Sequence, residues 1–277
     1  MISDTQINKF AQFTEHIAVN AGKILLDYKD KIVIKKHKTD LLDIATSADY
    51  AAEQYIIEQI KKNYPDHSIY SEEASDHYQK KSDFEWVIDP LDGTKEYSRN
   101  IPYYFVLITL EHEGKAICSV GYQPETKRCY LAILNNKAKI NNKIVDVSKE
   151  NNPKSSFIHI SLPNFKYPIS KIHNYFTLYK SLVYEFYRVR SNPWDVEALY
   201  YVGMGSTEAF ILPTTAYWIN TKWWDVAAGI FFVEQAGGKV TDFYGQPIKN
   251  RDLTKGLIAS NGKIHDRLLV FVKNYSR

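Results

Sequence analysis

Cysteine is scarce in this sequence, since only Cys118 and Cys129 occur among 277 residues. Both lie in the segment KAICSVGYQPETKRCYLAIL, where two apolar runs flank a Pro-Glu-Thr-Lys turn, a pattern typical of a β-hairpin. A secreted fold of this size normally carries more cysteines, paired in disulfides. We therefore expect both thiols to be buried and unpaired.

Long apolar runs and a secretory leader are also missing. No stretch approaches the roughly 18 apolar residues of a membrane-spanning helix, and the start MISDTQINKFAQF lacks a charged segment followed by an apolar run. The formal net charge is only +3 with both signs interspersed, so no basic face for nucleic acid stands out. The densest basic run, KKHK at 35–38, is typical of a solvated loop. We expect a cytoplasmic protein that binds neither nucleic acid nor membrane.

The rest of the composition is that of an ordinary folded protein, with 44% hydrophobic and 24% charged residues. A chain of 277 residues is long for one compact core and sufficient for two adjoining halves. The pattern changes after Asn151-Asn152-Pro153. We place the boundary near residue 150, between a first half 1–150 and a second half 151–277.

The two halves differ in their periodicity. Helical spacing of apolar residues predicts one helix over 7–28 and another over 47–63, which Pro65 closes. SIYSEE and FEWVID read as short strands, and YYFVLITLE, KAICSVGY and RCYLAIL as an antiparallel meander. Beyond residue 150 strands and helices alternate, and a helix starts near Asp225. This predicts an α+β first half and an α/β second half.

The segment WVIDPLDGTKEY, residues 86–97, places two aspartates three positions apart around a proline. On this interpretation a strand delivers Asp89 to its end, Pro90 fixes a tight turn and Gly93 supplies backbone freedom. Two carboxylates so close repel each other, and a divalent cation between them removes the repulsion. A helix beginning at GTKEY would aim its N–H groups at the same place and attract an anion. The segment predicts a metal-assisted phosphate site, with a structural turn as the alternative.

Two further acidic segments favour the metal site. SEE at 71–73 ends another predicted strand, and Asp225 begins the helix of WWDVAAG. Asp225 has an alternative role, because an acidic residue there also caps a helix. The same holds for Asp49, since TSAD at 46–49 is a capping-box pattern that opens the second helix.

Three motifs in this order, Glu-Glu, Asp-Pro-Leu-Asp-Gly-Thr and Trp-Asp-Val-Ala-Ala-Gly, resemble the inositol monophosphatase superfamily of Mg²⁺-dependent, lithium-sensitive phosphatases. The resemblance runs from Lys38 to about Pro247. It implies an α/β (α+β) fold, the layered αβαβα sandwich shared with fructose-1,6-bisphosphatase, with two or three Mg²⁺ ions between the halves. It also implies a small phosphorylated substrate. A homodimer is left open.

The resemblance implies roles for individual residues. One Mg²⁺ would be held by Glu72, Asp89 and the Leu91 carbonyl, and a second by Asp89, Asp92 and Asp225. The amides of Gly93 and Thr94 would bind the phosphate. Thr94, paired with Asp49, would orient the attacking water. Glu72 would also border a third, looser metal position, and it counts among the predicted catalytic residues. Lys38 would contact a substrate phosphate, unless it is an ordinary exposed lysine.

The residues after the first motif favour one subfamily. Lys95-Glu96 resembles the bacterial 3′(2′),5′-bisphosphate nucleotidases, which convert adenosine 3′,5′-bisphosphate to AMP and phosphate, and Thr221 agrees with them. Trp218 stands where inositol phosphatases carry an acid that binds the inositol hydroxyls. One departure is Ala209, which stands where these nucleotidases usually carry a lysine at the nucleotide end of the pocket. On this interpretation Ala209 removes a cation that would face the second phosphate of the substrate.

Ser206 and Trp218 are further candidates for substrate binding. Trp218 and Tyr217 would stack on a base, unless they form a buried aromatic patch. Three functions remain: the nucleotidase first, then a phosphatase of inositol phosphate or another small sugar phosphate, then a non-catalytic phosphate-ligand-binding protein of the same fold. The four metal carboxylates and Thr94 argue against the last.

Overall fold

The structure is a computed structural model that describes residues 2–29, 34–37, 44–73, 80–163, 168–191, 195–213 and 221–275. In this part of the chain the protein has a mixed α/β fold, as the resemblance implied. It divides into two compact units, Met1–Lys143 and Ile144–Arg277. Among the helices described, none has the length and apolar character needed to cross a membrane.

The first unit is built on a mostly antiparallel sheet. Its described elements are α1 (Asp4–Tyr28), β1 (Ile34–His37), β2 (Ile44–Thr46), α2 (Ser47–Asn63), β3 (Ser68–Ser71), β4 (Phe84–Asp92), α3 (Thr94–Tyr97), β5 (Phe105–His112), β6 (Lys115–Gln123), β7 (Arg128–Ile133), β8 (Lys139–Ile140) and β9 (Lys143–Ile144). Strands β3 to β9 form one sheet in chain order, in which β3 and β4 are parallel, and β1 pairs with β2. The meander predicted from the apolar runs is confirmed as β5, β6 and β7.

Helices α1 and α2 cover one face of this sheet. Ile17 and Leu25 of α1 and Ile56 of α2 are fully buried in the same apolar cluster as Trp86 and Ile108 of the sheet. Burial of this apolar surface is the main term that stabilises the unit.

The two cysteines belong to the first unit. Both are free and buried, as predicted. Burial raises the pKa of the Cys118 thiol to about 12, so this thiol stays protonated and unreactive at neutral pH.

The second unit is a three-layer arrangement. Its described elements are a 3-10 turn (Pro153–Ser155), β10 (Phe157–Ile160), α4 (Ile169–Glu185), β11 (Arg188–Arg190), α5 (Asp195–Gly203), β12 (Ala209–Leu212), α6 (Trp223–Gln235), β13 (Lys239–Thr241), β14 (Leu257–Ser260) and α7 (His265–Tyr275). The sheet order is β11-β10-β12-β14-β13, with β11, β10 and β12 parallel. Strand β14 and helix α7 were not predicted from the sequence.

The two faces of the second sheet have separate cores. Ile158 and Ile211 face helices α4 and α7, whereas Phe210 and Leu212 face α5 and α6. The side chains of β12 alternate between these cores, as a strand buried on both faces requires.

Candidate active site

Asp89 and Asp92 lie on strand β4 and not on the tight turn that the sequence suggested. Strand β4 continues through Pro90, with Asp89 opposite Leu107 and Asp92 opposite Phe105 of β5. Three steps along β4 thus match two along β5, which is a β-bulge with one extra residue. Pro90 lies in the bulge, a position where a residue without an N–H is tolerated in a sheet.

The bulge brings together two carboxylates, of which Asp89 is buried and Asp92 is half-buried. A carboxylate oxygen of Asp89 lies within 4.8 Å of one of Asp92, and Asp89 is only 1% exposed. Asp89 Oδ1 accepts a 3.0 Å hydrogen bond from the Leu91 N–H, which holds its carboxyl group against the strand. Two negative charges so placed repel each other. A cation bound to both would remove that repulsion.

Glu72 is placed beside Asp89 by the parallel pairing of β3 and β4. Ser71 lies opposite Ile88 in the register, and the Glu72 N–H donates to the Ile88 carbonyl at 3.2 Å. Glu72, the first residue after β3, therefore lies beside Asp89 of the neighbouring strand β4.

Glu53 of α2 anchors this end of β3, and sequence reasoning missed it. It is buried, and its Oε1 accepts hydrogen bonds from the Ser71 hydroxyl at 2.5 Å and the Glu73 N–H at 3.2 Å. An acidic residue among the apolar residues on the buried face of α2 was the available sequence signal, because a buried carboxylate needs hydrogen-bond donors.

Thr94 and Asp49 form a hydrogen-bonded pair. The Thr94 hydroxyl lies 2.9 Å from Asp49 Oδ1 and 3.0 Å from the Leu91 carbonyl oxygen. Asp49 Oδ2 accepts from the N–H and the hydroxyl of Thr46, at 2.8 and 2.6 Å. Asp49 thus caps helix α2 and contacts Thr94 at the same time. The capping role and the pairing with Thr94, which were weighed as alternatives for Asp49, are therefore geometrically compatible.

Gly93 makes the turn between β4 and α3. Its φ is +93°, and a Cβ atom there would lie 2.9 Å from the Tyr103 carbonyl oxygen, so glycine is required for both conformation and space. Helix α3, predicted from GTKEY, has only four residues. The amides of Gly93 and Thr94 would therefore act as individual donors and not through a long helix dipole.

Asp225 lies in the second unit, in the first turn of α6. Its Oδ2 accepts a 2.6 Å hydrogen bond from the Lys222 N–H, so the capping role weighed from the sequence is observed. Its joint action with Asp89 and Asp92 of the first unit stays a prediction.

The remaining candidates fall in different places. Lys38, Tyr217 and Trp218 lie outside the described residues. Ser206 is exposed between α5 and β12. Ala209 is fully buried in β12, in the core against α4 and α7. The interpretation of Ala209 as a lost phosphate-binding lysine position is therefore wrong, because its side chain points into an apolar layer.

Comparison with known proteins places the chain in a family. The model of the inositol monophosphatase family matches residues 6–276. The chain belongs to the inositol monophosphatase family. Nus factor SuhB of Pseudomonas aeruginosa is 30% identical over 260 residues, covering 92% of this chain and 93% of that protein.

Two solved structures show the same fold. The extragenic suppressor protein suhB from Bartonella henselae has a TM-score of 0.82 and 27% identity, over 95% of this chain and 97% of that one. Inositol monophosphatase from Anabaena has a TM-score of 0.79 and 26% identity, over 96% of both chains. These relatives support the phosphatase family and do not show the nucleotidase subfamily that Lys95-Glu96 suggested.

The described residues of the first unit fit the Mg²⁺ on which the inositol monophosphatase family depends. Asp89 and Asp92 offer a close pair of carboxylates, and the Leu91 carbonyl lies between them in sequence. All three donors are oxygen atoms, the ligands that Mg²⁺ prefers.

Proposed function

We propose that this family member is a Mg²⁺-dependent hydrolase of phosphate monoesters. The observation that carries the proposal is the 2.9 Å hydrogen bond from the Thr94 hydroxyl to Asp49 Oδ1. Thr94 follows two residues after Asp92, at the end of the bulge that brings Asp89 and Asp92 together. A turn with a purely structural role would need neither the buried carboxylate of Asp49 nor the two mutually repelling carboxylates of Asp89 and Asp92.

The metal ligands are proposed from both units. Asp89, Asp92 and the Leu91 carbonyl would hold Mg²⁺, with Glu72 at the adjoining strand end and Asp225 from the second unit completing the set. Bound Mg²⁺ would supply positive charge that stabilises the phosphate and the leaving oxygen and acidifies water.

Thr94 is proposed to position the attacking water. When its hydroxyl donates to Asp49 Oδ1, the Thr94 oxygen keeps lone pairs that can accept a hydrogen bond from that water. As the water attacks, its proton can pass to Thr94 Oγ1 while the Thr94 proton passes to Asp49 Oδ1. Thr46 holds the other oxygen of Asp49, so the acceptor stays oriented. The amides of Gly93 and Thr94 would meanwhile bind the phosphate oxygens.

For the substrate we propose inositol phosphate or another small sugar phosphate. The Anabaena relative named inositol monophosphatase supports this class. Thr221, one of the two features that favoured a nucleotidase, donates its hydroxyl proton to Asp195 at 2.7 Å and is 7% exposed. A hydroxyl engaged in this way has no proton left to donate to a nucleotide. Adenosine 3′,5′-bisphosphate remains the second candidate because of Lys95-Glu96, and because Trp218 stands where inositol phosphatases carry the acid that binds the inositol hydroxyls.

The experiment is phosphate release from a substrate panel by the purified protein. Inositol 1-phosphate, a hexose phosphate and adenosine 3′,5′-bisphosphate are compared with and without Mg²⁺. We expect Mg²⁺-dependent release, with the sugar phosphates preferred by kcat/KM. Faster turnover of the bisphosphate would favour the second candidate.

Asp92→Asn tests the metal site within the same panel. We expect kcat/KM to lose most of its wild-type value, because the change removes a negative charge from the metal position and preserves side-chain shape. Asp27→Asn is the matched control, since Asp27 is exposed on α1 and belongs to neither group of side chains that could hold a metal ion in the described part of the chain. Equal turnover by wild type and Asp92→Asn would refute the proposed role.

A non-catalytic protein of the same fold is the other candidate function. It is favoured by the relatives that carry the name Nus factor SuhB, which is a factor name and not an enzyme name. A folded wild-type protein that binds these phosphate esters with Mg²⁺ and releases no phosphate from any of them would support it.

A further inference from the structure

Asp195 has no role in the chemistry proposed above, yet it joins three segments of the second unit. Its Oδ2 accepts a 2.7 Å hydrogen bond from the Thr221 hydroxyl, and the Ser161 side chain also bonds to it. Asp195 begins α5, Ser161 follows β10 and Thr221 precedes α6. Burial raises the pKa of the Asp195 carboxyl, and the two hydroxyl donors offset part of that shift. Asp195 is thus a half-buried carboxylate with two hydroxyl donors from other segments of the unit.

Thr221 stands one residue too early to cap helix α6. The N-cap residue is Lys222, which makes no side-chain capping bond. Its backbone N–H donates instead to Asp225 Oδ2 at 2.6 Å. Threonine is a favoured capping residue, but here its hydroxyl is directed to Asp195. Asp195 thus holds Thr221, and the next residue, Lys222, is bonded to Asp225.

The junction lies at the edge of the sheet where ligands of α/β proteins commonly bind. The chain leaves β10 for helix α4 on one face and leaves β12 for helix α6 on the other. A reversal of this kind between parallel neighbours is a topological switch point, and ligands bind outside the carboxyl ends of the strands there. Ser161 directly follows β10 and bonds to Asp195, which places the junction at that point.

We propose that Asp195 is a positioning residue that holds Thr221, and through Lys222 the carboxylate of Asp225, in the orientation that binds a divalent cation. The inference rests on the proposed function, because it assumes that Asp225 is a metal ligand. Its physical basis is preorganisation: groups that orient a metal ligand spare the ligand the loss of conformational entropy on binding.

The test measures Mg²⁺ binding directly, by isothermal titration calorimetry on the metal-free full-length protein. Asp195→Ala removes the acceptor, and Thr221→Val removes the donor while preserving side-chain shape. Each is expected to raise the Kd for Mg²⁺ about 10–100-fold, the range typical for residues that orient metal ligands. The double variant should bind no worse than Asp195→Ala alone, because the hydrogen bond between Thr221 and Asp195 is already lost in that single variant.

Two further variants separate positioning from a general loss of structure. Asp195→Asn keeps an oxygen acceptor for Thr221 and should give a much smaller rise in Kd than Asp195→Ala. Asp252→Ala is the matched control: Asp252 also accepts from a threonine, through the N–H and hydroxyl of Thr254 at 2.9 and 2.5 Å. Within the described part of the chain no hydrogen bond joins Asp252 to Thr221 or Lys222, and the loss of its carboxylate should leave the Kd unchanged.

The outcomes distinguish this inference from the function on which it rests. A folded Asp195→Ala or Thr221→Val protein with the wild-type Kd overturns the inference, while wild-type binding and hydrolysis leave the proposed function standing. A lower melting temperature with an unchanged Kd also overturns it, because that result marks a purely structural bond. A wild-type protein that binds no Mg²⁺ overturns the proposed function and the inference together.

Discussion

At the scale of single residues, the hydroxyl of Thr94 has one proton and two acceptors within reach. Asp49 Oδ1 lies at 2.9 Å and the Leu91 carbonyl oxygen at 3.0 Å. The carboxylate is the stronger acceptor, because hydrogen bonds to an ionised group are stronger than those to a neutral one. Donation to Asp49 leaves the Leu91 carbonyl available to a cation. The same proton position therefore suits both the water-binding role of Thr94 and the ligand role of Leu91.

Thr94→Ala should lower kcat more than it raises KM. The hydroxyl acts on the water in the transition state, whereas the backbone amides that would bind phosphate remain. We expect a fall in kcat of about 10²–10⁴-fold, the range of general acid–base contributions. The measurement is steady-state kinetics with the best substrate of the panel at saturating Mg²⁺.

Thr94→Ser is the control for this prediction. Serine keeps the hydroxyl and should retain most of the wild-type kcat, although it has more rotamer freedom. An unchanged kcat in Thr94→Ala would assign the positioning of water to another group.

At the scale of elements, local signals predicted helices better than strand irregularities. Helix α2 was predicted over 47–63, which is the range observed. Its limits are local: Thr46 and Asp49 form the capping box, and Pro65 follows its end. The bulge in β4 was not predicted, because it is defined by the register against β5, more than ten residues away along the chain.

Contacts distant in sequence account for the other misses. The acids of the metal motif were identified from the sequence because their order and spacing resemble a known family. Glu53 and Asp195 were missed, since their partners lie 18 and 26 residues away along the chain. Ala209 was misread because a motif comparison does not show which face of a strand a residue occupies, and β12 is buried on both faces.

Ala209→Lys should destabilise the protein and should not restore a substrate contact. A lysine there would place an ammonium group in the apolar core formed with α4 and α7, which we expect to lower the free energy of unfolding by at least about 3 kcal/mol. Urea unfolding measures this change. Ser206→Lys, at an exposed position three residues earlier, should change the same free energy by less than about 0.5 kcal/mol. A stable Ala209→Lys protein with a lower KM for adenosine 3′,5′-bisphosphate would contradict the structural assignment.

At the scale of the whole molecule, the second unit buries two histidines that do not belong to the candidate site. His159 and His265 are 7% and 0% exposed. Burial lowers the pKa of each imidazole to about 4, and for His265 the charge of Lys239 adds to the effect. His159 Nδ1 has no hydrogen-bond partner among the described residues. Both rings are therefore neutral in the folded protein at neutral pH.

The hydrogen-bond partners of His265 also determine which ring nitrogen carries the proton in the neutral imidazole. The Thr241 hydroxyl donates its proton to the Asp242 carbonyl at 2.8 Å, so it can only accept from His265 Nε2, at 2.9 Å. His265 Nε2 then carries the proton, and Nδ1 accepts from the Ser260 hydroxyl at 2.8 Å. Protonation of Nδ1 would place an N–H against that hydroxyl and force it to turn away.

The stability of the protein should therefore fall as the pH is lowered from about 6.5 to about 4. In this window an unfolded histidine, with a pKa near 6.5, binds a proton that the folded histidine does not, so stability rises with pH and is lost toward acid. Each histidine can contribute up to about 3 kcal/mol. The raised pKa of Asp195 acts in the opposite direction, because protonation removes the charge of a half-buried carboxylate.

Histidine variants isolate this effect in urea unfolding measured from pH 4 to pH 8. His265→Asn keeps one donor and one acceptor but has no group that titrates in this range, so its loss of stability toward acid should be smaller than that of the wild type. His16→Asn is the matched control, because His16 is exposed on α1 and should leave the pH dependence unchanged. If His265→Asn lost stability between pH 6.5 and 4 as steeply as the wild type, His265 would not be a source of the acid sensitivity.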